Sequence, residues 1–261
     1  MALRAVYTDL DGTLLGRGAS LFRDGAGNFT LLPARALEAC HRAGVEVVLK
    51  SGRRRAQVME DARLLGQSSY IFEVGSGLVI DEELTWLTGE LQPSENTTVH
   101  ELIERSGAPA LLLERYSGSL EHHAPWHLER EVSHLFRGQV DEGEANELLA
   151  AEGHSGLRLV DNGGIGDTHG GTGGLHAYHL IPEQSSKANA VAMHMQARGY
   201  APEQCIAVGD SREDLDVAGV VGRFFLVSNA GLEGGGNVEV TESGHGDGFY
   251  EAVIRSLAEG R

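Results

Sequence analysis

Cysteine is scarce: Cys40 and Cys205 are the only two in 261 residues. Both sit in apolar segments, which argues against a disulfide framework and for reduced core thiols in a cytoplasmic protein. Positive charge is short as well, with 21 Lys and Arg against 38 Asp and Glu, a formal net charge of -17. Nucleic acid and anionic membrane are therefore poor candidates for the main partner. Any phosphate site must be made locally positive by a metal or by a few placed cations. No apolar run approaches the roughly 18 residues of a membrane span. No signal peptide is expected either, because Arg4 is followed at once by a short strand and two acidic residues. Glycine is the residue in excess: 36 of them, about twice the usual share, so many loops need unusual backbone angles. The length suits one large domain, or a domain carrying an insert.

The chain is organised around Asp9-Leu10-Asp11-Gly12-Thr13. The apolar run Ala5-Val6-Tyr7 before it is long enough for one buried parallel strand. Such a strand delivers two carboxylates, two residues apart and on the same side, to its C-terminal end. In open α/β sheets that is the edge where ligands bind. Neighbouring carboxylates repel, so they call for a cation, a shared proton or both. Gly12 permits a tight turn, and Thr13 can offer a hydroxyl and an N–H to an anion. The plainer reading is an Asp-Gly turn at a strand end.

Further elements follow a βαβαβ rhythm. A β-hairpin flap is expected around Asp24–Asn28, a helix from Pro33 to Arg42, a strand over Val45–Leu49, a helix over Ala56–Leu65 and a strand over Tyr70–Val74. From about residue 81 to 180 the pattern changes to a mixed α+β insert. Helices are expected there at Ser94–Arg105, Pro125–Phe136 and Glu142–Ala151, and strands at Ala110–Glu114, Leu157–Asp161 and Leu175–Leu180. The rhythm then resumes: a helix over Lys187–Arg198, strands over Cys205–Val208, Phe224–Val227 and Val238–Thr241, and a closing helix over Gly248–Ala258. The expected fold is α/β, a Rossmann-like doubly wound parallel sheet with an inserted α+β cap. The first core segment takes residues 1–80, the cap 81–180 and the second core segment 181–261.

Four places carry chemistry: Asp9 with Asp11, Ser51, Lys187, and Asp210 with Asp214. All fall at strand ends except Lys187, which opens a helix, so a parallel sheet can bring them to one edge. Carboxylates, a hydroxyl and an ammonium around one point suit phosphoryl transfer with a divalent ion. Hard oxygen donors without cysteine favour magnesium over zinc. Each residue alone has an ordinary alternative: Lys187 a surface lysine, Ser51 a helix cap, Asp210 and Asp214 turn acids. The group His122, His123 and His127 reads as solvated or substrate-facing rather than as a metal site.

Asp-Leu-Asp-Gly-Thr, Ser51-Gly52-Arg53, Lys187 and Gly209-Asp210-Ser211-Arg212-Glu213-Asp214 resemble the four motifs of the haloacid dehalogenase superfamily of phosphohydrolases. Only about 40 residues separate Asp11 from Ser51, while about 135 separate Ser51 from Lys187. The cap therefore follows the third strand, which resembles the type-IIB cap subfamily. Val227-Ser228-Asn229-Ala230 and the tail after Val240 are similar to that subfamily's closing segment. Glu73-Val74-Gly75-Ser76-Gly77 and Thr168-His169-Gly170-Gly171 look like the mannosyl-3-phosphoglycerate phosphatases. Two departures stand out: Thr172-Gly173-Gly174 replaces a longer polar side chain, and Glu213 stands where the fourth motif usually has asparagine. An asparagine can donate to phosphate and an ionised glutamate cannot.

The resemblance implies a magnesium-dependent phosphomonoesterase acting on a small phosphorylated molecule. Asp9 would be the nucleophile and Asp11 the acid–base. Ser51 and Lys187 would bind the phosphoryl group. Asp9, the Asp11 carbonyl, Asp210 and Asp214 would hold Mg2+, with orientation of Lys187 as Asp214's other role. His169, Gly170, Gly171 and Asn229 would read the rest of the substrate, with Arg115 or Arg158 as helpers. Rival readings are a phosphotransferase or mutase on the same core, and a non-catalytic sugar-phosphate-binding protein. A dehalogenase has no need of Asp11.

Overall fold

The computed structural model describes residues 2–165 and 174–259. The core begins with β1 (Ala5–Thr8), α1 (Leu32–Ala43), β2 (Glu46–Lys50), α2 (Arg55–Leu65) and β3 (Ser69–Phe72). Two further strands, β4 (Gly77–Ile80) and β5 (Glu83–Trp86), turn back antiparallel along its edge. The inserted unit holds α3 (Val99–Ser106), α4 (Ala108–Arg115), β6 (Leu120–His122), β7 (His134–Gly138), α5 (Glu142–Ala151), β8 (Leu157–Gly164) and β9 (His176–Pro182). The chain then returns to the core through α6 (Lys187–Arg198), β10 (Cys205–Gly209), α7 (Arg212–Leu215), β11 (Arg223–Leu226), β12 (Val238–Val240) and α8 (His245–Glu259).

The core sheet has the order β12-β11-β10-β1-β2-β3-β4-β5, parallel from β12 to β3. β1 lies at its centre and all four of its residues are buried. One face of the sheet packs Val6, Val47, Leu49 and Val208 against Ala36 and Cys40 of α1, Val58 of α2 and Phe249 and Val253 of α8. The other packs Tyr7, Val48, Ala207 and Phe224 against Ala190, Val191 and Met195 of α6. Two-sided burial explains why these strands read as continuous apolar runs. Both cysteines are buried and form no disulfide, Cys40 on α1 and Cys205 on β10.

The insert is a four-stranded antiparallel sheet, β6-β7-β9-β8, with its own core of Val99, Ile103, Leu112, Phe136, Leu149, Leu159 and Leu180. Four expectations need correction. β5 belongs to the core sheet, so that sheet continues through Trp86, past the boundary expected at residue 80. Ala110–Glu114 is helical, inside α4: Pro109 in the first turn after Gly107 starts a helix that the leucine run continues. Pro125–Phe136 is not a helix. His134–Gly138 is drawn into the sheet by pairing with β9, and the residues before it are tied to the core by Glu73. The flap at Asp24–Asn28 is a turn with isolated bridges, Gly16 to Ser20 and Arg23 to Phe29, not a regular hairpin.

Candidate active site

The register of the central strands builds the site. Thr8 pairs with Leu49 on one side and with Val208 on the other, so the next residues out, Asp9, Lys50-Ser51 and Gly209-Asp210, emerge together. Gly12 has φ 85°, and a Cβ there would lie 2.2 Å from Asp210 Oδ2. Only glycine allows this approach. Thr13 donates its hydroxyl to Asp210 Oδ1 at 2.7 Å and its N–H to Leu10 O. Thr13 therefore fixes Asp210 and does not offer these groups to an anion, contrary to the sequence reading.

Lys187 opens α6, whose N-terminus is capped by the Ser186 hydroxyl. The left-handed turn Glu73–Gly75 packs against it, since a Cβ on Gly75 would fall 2.1 Å from the Ser186 carbonyl carbon. Lys187 Nζ, only 1% exposed, lies 3.0 Å from Asp9 Oδ1, 2.9 Å from Asp214 Oδ1 and 2.8 Å from Glu213 Oε2. A second buried ammonium, Lys50 Nζ, lies 2.5 Å from the same Asp214 Oδ1. The Ser211 hydroxyl donates to Asp214 Oδ2 at 2.9 Å, completing a capping box at α7. Asp214 is thus spoken for on both oxygens by Lys50, Lys187 and Ser211. Of the two roles expected for it, holding Lys187 is the one these contacts favour.

Burial dominates the electrostatics. It pushes Asp9 up to about 8, with Lys187 pulling back, and together with the Asp214 charge it pushes Asp210 up to about 6. Glu213 is raised by burial too. Burial also works against ionised Asp214, yet the Lys187 and Lys50 ammoniums hold it well below the usual carboxylate range. Lys187 loses solvation but is lifted well above its ordinary value by Asp214, Asp9 and Glu213. Among the described residues, carboxylate oxygens of Asp9, Asp210 and Asp214 form the one group close enough to hold a metal, all within 4.8 Å of one another. With all four carboxylates (Asp9, Asp210, Glu213, Asp214) ionised against two ammoniums (Lys50, Lys187), the site carries two negative charges, the charge one divalent cation offsets. The donors are hard oxygens, so the residues fit Mg2+. No cap histidines form such a group among the described residues.

Ser51 is 2% exposed and lines the cleft; its Oγ accepts from Arg53 N. Asp11 is half-exposed and held by a bidentate pair with Arg53, at 2.7 and 2.6 Å, while Arg53 also reaches Asp61 at 2.8 Å. Asn229 lines the cleft and donates to Gly12 O at 2.9 Å. His169, Gly170 and Gly171 lie outside the described residues. Arg115 and Arg158 do not line the cleft: Arg115 stacks over Tyr116, and Arg158 donates to Ser185 O.

The cleft encloses about 1140 Å3 between core and insert. From the insert it is lined by His123, Trp126, Arg130, Asn162 and His179. Arg130 donates to Gly52 O and to Ser133 Oγ, tying the insert to the Ser51 loop. Lys50, Arg53, Glu73, Arg130, Asn162 and His179 were not singled out in the sequence as site residues. Arg53 and Glu73 carried a readable signal, as members of Ser51-Gly52-Arg53 and Glu73-Val74-Gly75-Ser76-Gly77.

The fold is that of the haloacid dehalogenase-like hydrolases. A haloacid dehalogenase-like hydrolase from Bacteroides thetaiotaomicron superposes with a TM-score of 0.63 at 15% identity over 97% of this chain and 99% of that one. The sucrose-phosphatase of Synechocystis, solved with sucrose and phosphate, gives a TM-score of 0.69 at 18% identity over 98% of both chains. Among curated proteins, a phosphoglycolate phosphatase of Halobacterium salinarum is 36% identical over 109 residues, 41% of this chain. That match spans only 43% of the relative's own length. A phosphoglycolate phosphatase of Methanoculleus marisnigri aligns over 96% of this chain and 95% of its own length, at 25% identity. No family model matches the chain.

Proposed function

We propose that the protein is a phosphoric monoester hydrolase of the haloacid dehalogenase type, acting on a small phosphorylated substrate through an aspartyl-phosphate on Asp9. The observation that carries this reading is the placement of Lys187 Nζ against both Asp9 and Asp214, at the buried end of the central strand and beside Ser51. Asp9 Oδ attacks phosphorus and the leaving oxygen departs with a proton from Asp11. Asp11 then takes a proton from water, which attacks the acyl phosphate and regenerates Asp9. Lys187 and the Ser51 hydroxyl offset the charge that develops on the phosphoryl oxygens. Asp9 and Asp210, with the Asp11 carbonyl, would hold Mg2+; bound there, the ion supplies Lewis-acid neutralisation of phosphate charge. Rotation of Asp11 away from Arg53 would bring it to the leaving oxygen.

The insert acts as the cap, and its place between β5 and α6, with four antiparallel strands, supports the type-IIB reading. For the substrate, the names of the curated relatives favour phosphoglycolate, while the sequence resemblance favours mannosyl-3-phosphoglycerate. A cleft of about 1140 Å3 lies just above the roughly 300–1,000 Å3 typical of small-molecule sites, so a sugar-sized group has room. The test is release of phosphate from p-nitrophenyl phosphate and from these two substrates, with Mg2+ and with EDTA. Turnover with Mg2+ and none with EDTA is expected. Phosphate release insensitive to EDTA, or no release from any phosphomonoester, would contradict the reading.

A further inference from the structure

Beside the phosphoryl-binding loop lies a polar pair with no part in the chemistry above. His179, on β9, is 2% exposed and lines the cleft. Its Nδ1 lies 3.2 Å from Ser133 Oγ. The hydrogen-bond network around Ser133 settles which ring nitrogen carries the proton. Ser133 has one hydroxyl hydrogen, and it goes to the Glu73 carboxylate at 2.9 Å, an acceptor that also takes the Glu131, Val132 and Ser133 N–H groups. Ser133 Oγ is left with lone pairs, one filled by Arg130 Nε at 2.8 Å. It can therefore only accept from His179, so Nδ1 bears the hydrogen and Nε2 presents a lone pair. Burial and the neighbouring Arg130 charge keep the ring neutral.

Nε2 has no hydrogen-bond partner among the described residues. It faces Gly52: a Cβ on that glycine would come within 2.9 Å of Nε2 and 2.7 Å of Asn162 Nδ2. An acceptor and an amide donor thus stand side by side, next to Ser51. A hydroxyl satisfies both at once, donating to Nε2 and accepting from Nδ2. A carboxylate only accepts, and would set its charge against the Nε2 lone pair.

Resting on the phosphatase reading, we propose that His179 and Asn162 form a hydroxyl-reading subsite, so that the preferred substrate carries a hydroxyl close to its phosphoester, as a polyol or sugar phosphate does, rather than the bare carboxylate of phosphoglycolate. The pair selects by leaving its buried polar groups unsatisfied when the hydroxyl is missing.

The test compares sn-glycerol 3-phosphate with n-propyl phosphate, which has the same chain and no hydroxyl, and with phosphoglycolate. Wild type is expected to favour glycerol 3-phosphate over both by about tenfold or more in kcat/KM. His179→Ala should lose about tenfold more on glycerol 3-phosphate than on propyl phosphate, and His179→Gln, which keeps an acceptor, should recover part of that preference. Equal losses on the two substrates, or a wild type that prefers phosphoglycolate, would overturn the subsite. Calorimetry on the wild type separates this failure from failure of the phosphatase reading. Tighter binding of glycerol 3-phosphate without turnover keeps the subsite and removes the phosphatase; turnover with equal affinities does the reverse.

Discussion

Asp11 differs from its neighbour Asp9 in every physical respect that matters for its role. Asp9 is 6% exposed and beside Lys187, while Asp11 is half-exposed and paired with Arg53. A buried carboxyl whose ionised form is held by a lysine suits a nucleophile, and a solvent-side carboxyl that can gain and lose protons suits an acid–base. Asp11→Asn is expected to lower kcat on an alkyl phosphate by about 10²–10⁴-fold and to spare p-nitrophenyl phosphate in large part, because that leaving group departs without a proton. Steady-state rates on the two substrates check this, and equal losses would remove Asp11 from the acid–base role. At this scale the placement was legible where a residue follows a strand directly: Asp9, Ser51 and Asp210 all follow residues aligned in register. Lys50 was not legible. It closes β2 and reads as the end of a strand, and only the fold shows it meeting Asp214, 164 positions away.

Among the elements, the turn Glu73–Gly75 joins core to insert. Glu73 and Val74 adopt φ of 45° and 58°, rare for a carboxylate residue and costly for a β-branched one. The strained turn lets Glu73, fully buried, accept from the backbone of residues 131–133 while Gly75 packs on the start of α6. Arg130 lies 3.8 Å from the same carboxylate. Removing one member of a buried charged pair leaves the other uncompensated, so Glu73→Ala is expected to destabilise the protein by about 3 kcal/mol. Urea unfolding measures this; a change below about 0.5 kcal/mol, the size of an ordinary surface substitution, would mean that Glu73 does not hold the insert in place. The same contact explains the misread helix at Pro125–Phe136. The sequence there is locally helical in composition, but a carboxylate from a distant turn and pairing with β9 decide its shape. In contrast α5 and α6 agree with the reading from sequence, because Asp141 and Ser186 cap them from within their own segments.

For the whole molecule, the charge balance sets the response to pH and metal. Asp9 and Asp210 are raised by burial, to about 8 and about 6. A carboxyl whose native pKa lies above its unfolded value binds more protons when folded. Its contribution to stability is present at low pH and falls as pH rises from about 4 through the native value. Asp214 is depressed and runs the other way, its contribution lost as pH falls below the usual carboxylate range. Between about pH 5.5 and pH 8 the raised pair dominates, and a divalent cation replaces the departing protons. The gain in Tm on adding Mg2+ is therefore expected to be larger near pH 8 than near pH 5.5. Thermal unfolding with MgCl2 and with EDTA at both pH values checks this, and a gain that shrinks with pH would contradict a metal on these carboxylates.

The central claim is a covalent phosphoryl group on Asp9. Sodium borohydride reduces an acyl phosphate to an alcohol, so quenching the enzyme with it during turnover in Mg2+ should convert Asp9 to homoserine, read by mass spectrometry of the N-terminal peptide. The expected result is homoserine at position 9 with substrate, none without substrate, and neither label nor turnover in Asp9→Asn. Sustained phosphate release by Asp9→Asn, or a label on another carboxylate, would contradict the account.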